Sequence, residues 1–208
     1  MADPTSTPSD GRLGGTDGNE RLTGSNASVL LILLAVEGLT VISLNSFLAL
    51  HIFLGVVLIP PVLLKVASTG YRFVRYYSAD APYVRKGPPP PLLRALGPVI
   101  VLSSVVLFGT GVALLVMGPG DGGVRGIHKL SFIVLFAAMA VHVLAHLRKV
   151  PALAIADWRA RTRLPGGTIR RALLVLTLAA GLGFGAVAIV YDGAWVHRHH
   201  HRFDDGGR

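Results

Sequence analysis

The sequence predicts an all-α integral membrane protein, a bundle of five transmembrane helices with a polar amino-terminal tail. Hydrophobic residues make up 51% of the 208 positions, and charged residues make up only 15%. Charged residues are about 25% of a soluble domain. Mean hydropathy is +0.58. Five apolar stretches each approach the roughly 20 residues that a helix needs to cross the hydrocarbon core. They are residues 27–44, 47–68, 96–117, 128–147 and 172–191.

Polar segments precede and follow these five stretches. Residues 1–26 are rich in Gly, Ser, Thr and Asp and lack the basic and apolar regions of a signal peptide. We expect them to form a disordered cytoplasmic tail. Residues 192–208 follow the last stretch, and their imidazoles are spaced so that they could bind copper, nickel or zinc. A solvated tail without metal is the alternative. The histidines of this segment are His197, His199, His200 and His201.

Positive charge is concentrated in the connections after the second and fourth stretches. The net charge is +9, and no basic residue lies between the first and second stretches. By the positive-inside rule, the amino terminus and both basic connections are cytoplasmic and the carboxyl terminus lies outside the plasma membrane. Anionic lipid headgroups are the expected partners of this charge. Nucleic acid is not expected, because no groove-reading motif accompanies the charge.

His51 and His128 are the candidate metal ligands. The chain has no cysteine, which excludes iron–sulfur clusters and covalent c-type haem, so a redox centre must use histidine. The two residues lie near the starts of stretches that run in the same direction, so both should lie in the outer leaflet. Two imidazoles facing each other can hold one haem iron, and water or lipid headgroups are the alternative partners. Gly55 would let the macrocycle approach the backbone, and Arg125 and Lys129 could meet the haem propionates.

These paired histidines, with His142 following His128 by 14 residues, resemble the cytochrome b family of membrane subunits. The resemblance covers roughly residues 47–147. It implies bis-histidine haem ligation and electron transfer across the membrane, between quinones and partner redox enzymes. The chain departs from the family at Lys65, which stands 14 residues after His51, where a two-haem member has its second histidine. We therefore expect one haem b per chain.

A second polar site is expected in the inner leaflet. Lys65, His142 and His146 could bind a quinone headgroup or carry protons, since ionisable groups inside membranes usually face a cavity or the bundle interior. Alternatively, Lys65 extends to the cytoplasmic surface and His146 is interfacial. Glu37, near the middle of the first stretch, must be protonated, paired or in a wet cavity. Either a proton-coupled role or an inter-helix hydrogen bond would satisfy it.

Proline and glycine predict two features of helix packing. Pro60 and Pro61 should kink the second helix, because two carbonyls lose their amide partners. Gly181, Gly183 and Gly185 form a small-residue strip on the fifth stretch. Such strips allow close helix packing, either within the bundle or between protomers of a homo-oligomer.

The candidate ligands and the other ionisable residues in the apolar stretches favour a b-type haem protein that relays electrons between a quinone pool and a partner redox protein. An electron-transfer subunit is favoured over a stand-alone enzyme, because two axial histidines leave the iron no open coordination position. The alternative is a non-haem membrane subunit for transport, sensing or assembly, in which the histidines and Glu37 bind protons or metal.

Overall fold

The computed structural model describes residues 15–88, 90–118, 122–146 and 165–204, with side chains except those of residue 146 and residues 191–204. Every regular element in these ranges is a helix, and all but the third are long and apolar enough to cross a membrane. The prediction of an all-helical chain with five such helices is confirmed for the described residues. The helices are α1 Gly15–Ile42, α2 Leu44–Tyr77, α3 Ala81–Lys86, α4 Pro91–Met117, α5 Gly122–His146 and α6 Gly167–Asp204.

The helices extend beyond the apolar stretches that predicted them. α1 begins at Gly15, so the expectation of a disordered segment through residue 26 is wrong for residues 15–26. Their polar side chains bond to α2: Asn19 Nδ2 donates to the carbonyl of Ser68 at 3.1 Å. α6 likewise continues to Asp204, so much of the expected histidine-rich tail is helical. Residues 1–14 and 205–208 lie outside the described residues.

α2 is the central helix of the bundle. Its most extensive contacts are with α1 and α6. α4 and α5 form a hairpin, and these two helices contact mainly each other. On α5 the face towards α4 carries Ser131, Leu135 and Ala138, spaced at i, i+4 and i+7 and all buried. The hairpin approaches α2 and α6 through α4 over a smaller area. The space between α2 and α5 is therefore bridged by side chains more than by close backbone packing.

The contact between α2 and α6 depends on glycine. A Cβ atom on Gly181 would lie 2.5 Å from the carbonyl oxygen of Val57, and one on Gly185 would lie 2.7 Å from the Phe53 ring. The Val57 carbonyl is four residues before Pro61, which has no N–H to donate to it. The glycine strip thus packs within the bundle, against the part of α2 where proline removes a helical hydrogen bond.

The break in helical backbone angles within α2 lies before the two prolines. Inside α2 the residue with non-helical backbone angles is Phe47 (φ −117°, ψ 20°), in the first turn, and the helix continues through Pro60 and Pro61. Asn26 Nδ2 donates to the carbonyl of Pro61 at 2.7 Å. Both prolines are buried, so neighbouring helices enclose the segment that lacks amide donors.

α3 attaches the connection between α2 and α4 to the start of α1. Lys86 Nζ lies 2.9 Å from Asp17 Oδ1 and also pairs with Glu20. Burial lowers the pKa of Lys86, but its hydrogen bonds to Glu20 and Asp17 outweigh that effect and raise the pKa above the usual value. The amino-terminal turns of α1 are therefore held at the basic end of the bundle by charge pairing.

Many large apolar side chains lie on the outer surface of the bundle, and several polar side chains lie inside it. Large apolar side chains such as Leu102, Phe136 and Val190 are 65–76% exposed, whereas Ser103 and Ser104 are buried. A soluble protein rarely exposes an apolar surface of this extent. Small and polar residues at helix contacts are typical of membrane bundles, in which lipid replaces water as the surrounding solvent.

Candidate functional site

The side chains of His51 and His128 face each other between α2 and α5. Their ring centroids are 6.5 Å apart, and the ring planes are nearly perpendicular, at 87°. Both side chains are partly buried. The structure thus brings together the two histidines that the sequence analysis paired. His128 lies in the second turn of α5, because that helix begins at Gly122 and not at the start of the apolar stretch.

The Nδ1 atom of His51 is held by α1. It lies 2.8 Å from Glu37 Oε1 and 3.1 Å from the hydroxyl of Thr40. The Thr40 hydroxyl donates to the Glu37 carbonyl at 2.6 Å, so it is already used as a donor. The carboxylate is then the natural acceptor for a proton on His51 Nδ1. With the proton on Nδ1, the lone pair of a neutral His51 ring is on Nε2.

The Nδ1 atom of His128 is held by α4. It lies 3.1 Å from the carbonyl oxygen of Leu107 and 3.1 Å from the hydroxyl of Thr110. A carbonyl can only accept, so Nδ1 carries the proton here as well. The ring lies against Gly111, where a Cβ atom would be 3.3 Å from His128 Cε1. Glycine at this position therefore lets the imidazole lie close to α4.

This arrangement can be tested against a metal held between two imidazoles. A metal–imidazole bond of about 2 Å and a ring radius of roughly 1.1 Å put two opposed ring centroids about 6.2 Å apart. The observed separation of 6.5 Å is close to that value. Perpendicular planes are compatible with it, because each ring can rotate about its own metal–nitrogen bond. An acceptor on the second nitrogen of each ring is the usual support for a metal-ligating histidine.

The number of protein ligands favours haem over a bare transition metal. Among the described residues, no cluster of three or more His, Asp or Glu side chains could hold a metal ion. Structural zinc takes four protein ligands and catalytic zinc three. Haem iron takes four nitrogens from its own macrocycle and needs only axial ligands from the protein. The residues present therefore fit a haem iron.

The remaining residues expected around the haem have different surroundings. A Cβ atom on Gly55 would lie 3.5 Å from Glu37 Oε1, an ordinary van der Waals contact, so Gly55 lies beside that carboxylate. Its role in giving room to a macrocycle stays a prediction. Arg125 and Lys129 are exposed on α5, within three residues of His128.

The expected inner-leaflet site is divided between different parts of the bundle. Lys65 Nζ donates to the carbonyl of Thr23 on α1 at 3.0 Å, so its ammonium is bound between α1 and α2. Glu37 bonds to His51, which lies 14 residues, or about 21 Å, before Lys65 on α2. His142 is partly buried on α5.

Some expected ligands lie where side chains are not described. His146 is the last residue of α5, and its side chain lies outside the described residues. The tail histidines are on the last turns of α6, and their side chains lie outside them too. They are His197, His199, His200 and His201.

One of the alternatives for Glu37 was an inter-helix hydrogen bond, and the structure has it with His51, but sequence reasoning missed the other groups that hold the two imidazoles. Thr40 follows Glu37 by three residues, which puts both on one face of α1. Thr110 and Gly111 stand between the apolar runs 105–108 and 112–117 of α4, and that interruption was the available signal. The Leu107 carbonyl offered none, because every residue has one.

Within the described residues, fold and site together define a class. It is a bundle with five apolar helices, as in multi-pass membrane proteins, and it carries a facing pair of imidazoles that are each hydrogen-bonded at Nδ1. Comparison with models of known families, with curated proteins and with solved structures finds no match. The functional assignment therefore depends on the chemistry of the site itself.

Proposed function

We propose that this protein is an integral membrane b-type cytochrome that binds one haem between His51 and His128. The observation that carries the proposal is the facing pair of imidazoles, with ring centroids 6.5 Å apart. Each ring has an acceptor at Nδ1, from Glu37 on one side and Leu107 on the other. Both rings are thereby oriented with Nε2 free to bind iron.

The protein residues orient and shield the group they bind. Glu37 and the Leu107 carbonyl each hold one tautomer of a ligand imidazole, so neither ring has to reorganise when it binds the metal. The bound haem supplies a one-electron redox centre. If both imidazoles bound the iron, they would leave it no position for a substrate, and this favours electron relay over oxygen chemistry.

The direction of insertion follows from charge. Lys86 and the start of α1 meet at one end of the bundle, and the His51–His128 pair lies towards the other end of α2. With the basic end in the cytoplasm, the amino terminus is inside, the carboxyl terminus is outside, and the haem lies in the outer leaflet of the plasma membrane. A quinone and a separate redox protein are the proposed electron partners.

One observation favours a second candidate function. The Glu37–His51 hydrogen bond of 2.8 Å is also a geometry that could hold a proton without any haem. A non-haem membrane subunit for transport or sensing is the function that this reading supports. The two candidates differ in whether the purified protein contains haem.

Haem content decides between them. The full chain should be expressed with haem available, purified in detergent, and assayed by pyridine haemochrome and by a reduced-minus-oxidised visible spectrum. We expect one haem b per chain. His51→Ala and His128→Ala should each lose stoichiometric haem, because one imidazole seldom retains a bis-histidine haem. His142→Ala is the matched control on α5 and should keep its haem.

The outcomes separate clearly, provided that circular dichroism shows each variant to be as helical as the wild type. Wild-type protein without haem would refute the cytochrome proposal and favour the proton-binding alternative. Two haems per chain, or loss of haem in His142→Ala alone, would show that there is a haem site near His142.

A further inference from the structure

The two imidazoles have unlike hydrogen-bond acceptors. His51 Nδ1 is 2.8 Å from a carboxylate oxygen of Glu37. His128 Nδ1 is 3.1 Å from a backbone carbonyl and 3.1 Å from a hydroxyl, both of them neutral. The pair is therefore asymmetric, and the asymmetry consists of one negative charge on the α1 side.

The carboxylate of Glu37 is held in place and largely enclosed. Its side chain is 13% exposed. Thr40, one turn later, lies 3.4 Å from the other carboxylate oxygen, and Gly55 on α2 lies beside Oε1. Among the described residues, no Lys or Arg forms an ion pair with Glu37, and Glu37 Oε1 lies 2.8 Å from the Nδ1 atom of the neutral His51 ring. A cation that would cancel its charge is therefore missing from its immediate contacts.

A hydrogen bond from a ligand imidazole to a carboxylate makes the imidazole a stronger donor to the metal. The negative charge itself also stabilises the more positive, oxidised state of the iron over the reduced state. Both effects lower the reduction potential. A neutral acceptor such as the Leu107 carbonyl provides only a weak form of the first effect. Water screens the charge of Glu37 only slightly, because that side chain is enclosed.

We propose that Glu37 is the residue that tunes the haem, acting through His51 to hold the reduction potential below the value that neutral acceptors on both ligands would give. This inference rests on the proposed bis-histidine haem. Glu37 touches the ligand and not the iron, so it is a positioning and charge-setting residue. Its role predicts a change of potential rather than a loss of the cofactor.

The test is a potentiometric titration of the purified, haem-loaded full chain. Glu37→Gln keeps an oxygen that can accept the His51 Nδ1 proton but removes the charge. We expect it to keep its haem and to raise the midpoint potential. Thr110→Val is the matched control at the other ligand. It removes a neutral hydroxyl, leaves the Leu107 carbonyl, and should shift the potential much less.

Glu37→Asp provides a second, independent test. It keeps the charge but moves it one methylene away from His51, so its potential should lie between those of the wild type and Glu37→Gln. An unchanged potential in haem-loaded Glu37→Gln would overturn the inference and leave the proposed function intact. If Glu37→Gln retains no haem, Glu37→Asp decides: a raised potential supports the inference, and a wild-type potential overturns it. Wild-type protein without haem would instead refute the proposed function on which the inference rests.

Discussion

The contact between α2 and α6 gives the sharpest prediction about stability, because two glycines on one helix have opposite surroundings. A Cβ atom on Gly181 would lie 2.5 Å from the Val57 carbonyl oxygen, whereas one on Gly183 would meet nothing within 4 Å. Gly181→Ala should therefore force backbone away from backbone, and Gly183→Ala should add a methyl group to an open face.

The magnitude follows from the size of the clash. Ordinary contact begins near 3.4 Å, so from 2.5 Å the two helices must separate locally by about 0.9 Å. The obstacle is a backbone carbonyl, which cannot rotate away as a flexible side chain can. Overpacking of this kind costs about 1–3 kcal/mol. Both substitutions gain up to about 1 kcal/mol of helix propensity over glycine. Gly181→Ala should thus be about 1–3 kcal/mol less stable than Gly183→Ala.

The comparison can be made by unfolding both variants and the wild type in detergent, by heat or by added SDS, with circular dichroism as the readout. The difference between the two variants cancels the propensity gain and isolates the helix contact. Equal stability of Gly181→Ala and Gly183→Ala would refute the close approach of α6 to Val57. A destabilised Gly183→Ala would instead mean that this face of α6 is covered by a second protomer.

Three further predictions concern the ends of the bundle. Lys86→Gln should lower the free energy of unfolding by less than about 1 kcal/mol, because exposed ion pairs contribute about 0.2–1 kcal/mol. Since the hydrogen bonds to Glu20 and Asp17 raise the Lys86 pKa, their contribution should be complete below the unfolded pKa of about 10.4 and be lost as pH rises through the higher folded pKa. Thermal unfolding at neutral and strongly alkaline pH checks this, and a penalty in Lys86→Gln that persists at alkaline pH would contradict it. Truncation after Val196 should leave the haem spectrum unchanged, because the proposed ligand pair lies on α2 and α5; loss of haem would identify a ligand in the tail. Reporter fusions should place the amino terminus and the connection after α2 in the cytoplasm and the carboxyl terminus outside, and a cytoplasmic carboxyl terminus would invert the proposed orientation.

The helices and one pair of residues could be predicted from sequence because each depends on information local to the chain. Hydropathy over about 20 residues predicts an apolar helix, and residues at equal distances from the starts of two parallel helices reach equal heights. This reasoning paired His51 with His128. It could not predict that Lys65 turns towards Thr23 on α1, because that contact depends on the rotation of α2 about its own axis.

The start of α1 is a second feature that local sequence does not predict. Residues 15–26 have a polar composition that predicts disorder when the segment is considered alone. In the folded chain, Asn19 and Asn26 donate to carbonyls of α2, and these long-range bonds stabilise a helix that its composition would not. The decisive contacts lie 49 and 35 residues away along the sequence, beyond the reach of any local pattern.

The sequence by itself therefore determined that the chain forms apolar helices, that it lacks thiol chemistry, and that its two paired histidines share a height. Each follows from composition, length and spacing. Only the tertiary structure decided which groups hold those histidines. A helix presents a different side chain every 100°, so the partner of each imidazole depends on how neighbouring helices are rotated and how closely they approach. That packing brings the Glu37 carboxylate to His51 and a neutral carbonyl to His128, and it is the origin of the asymmetry between the two ligands.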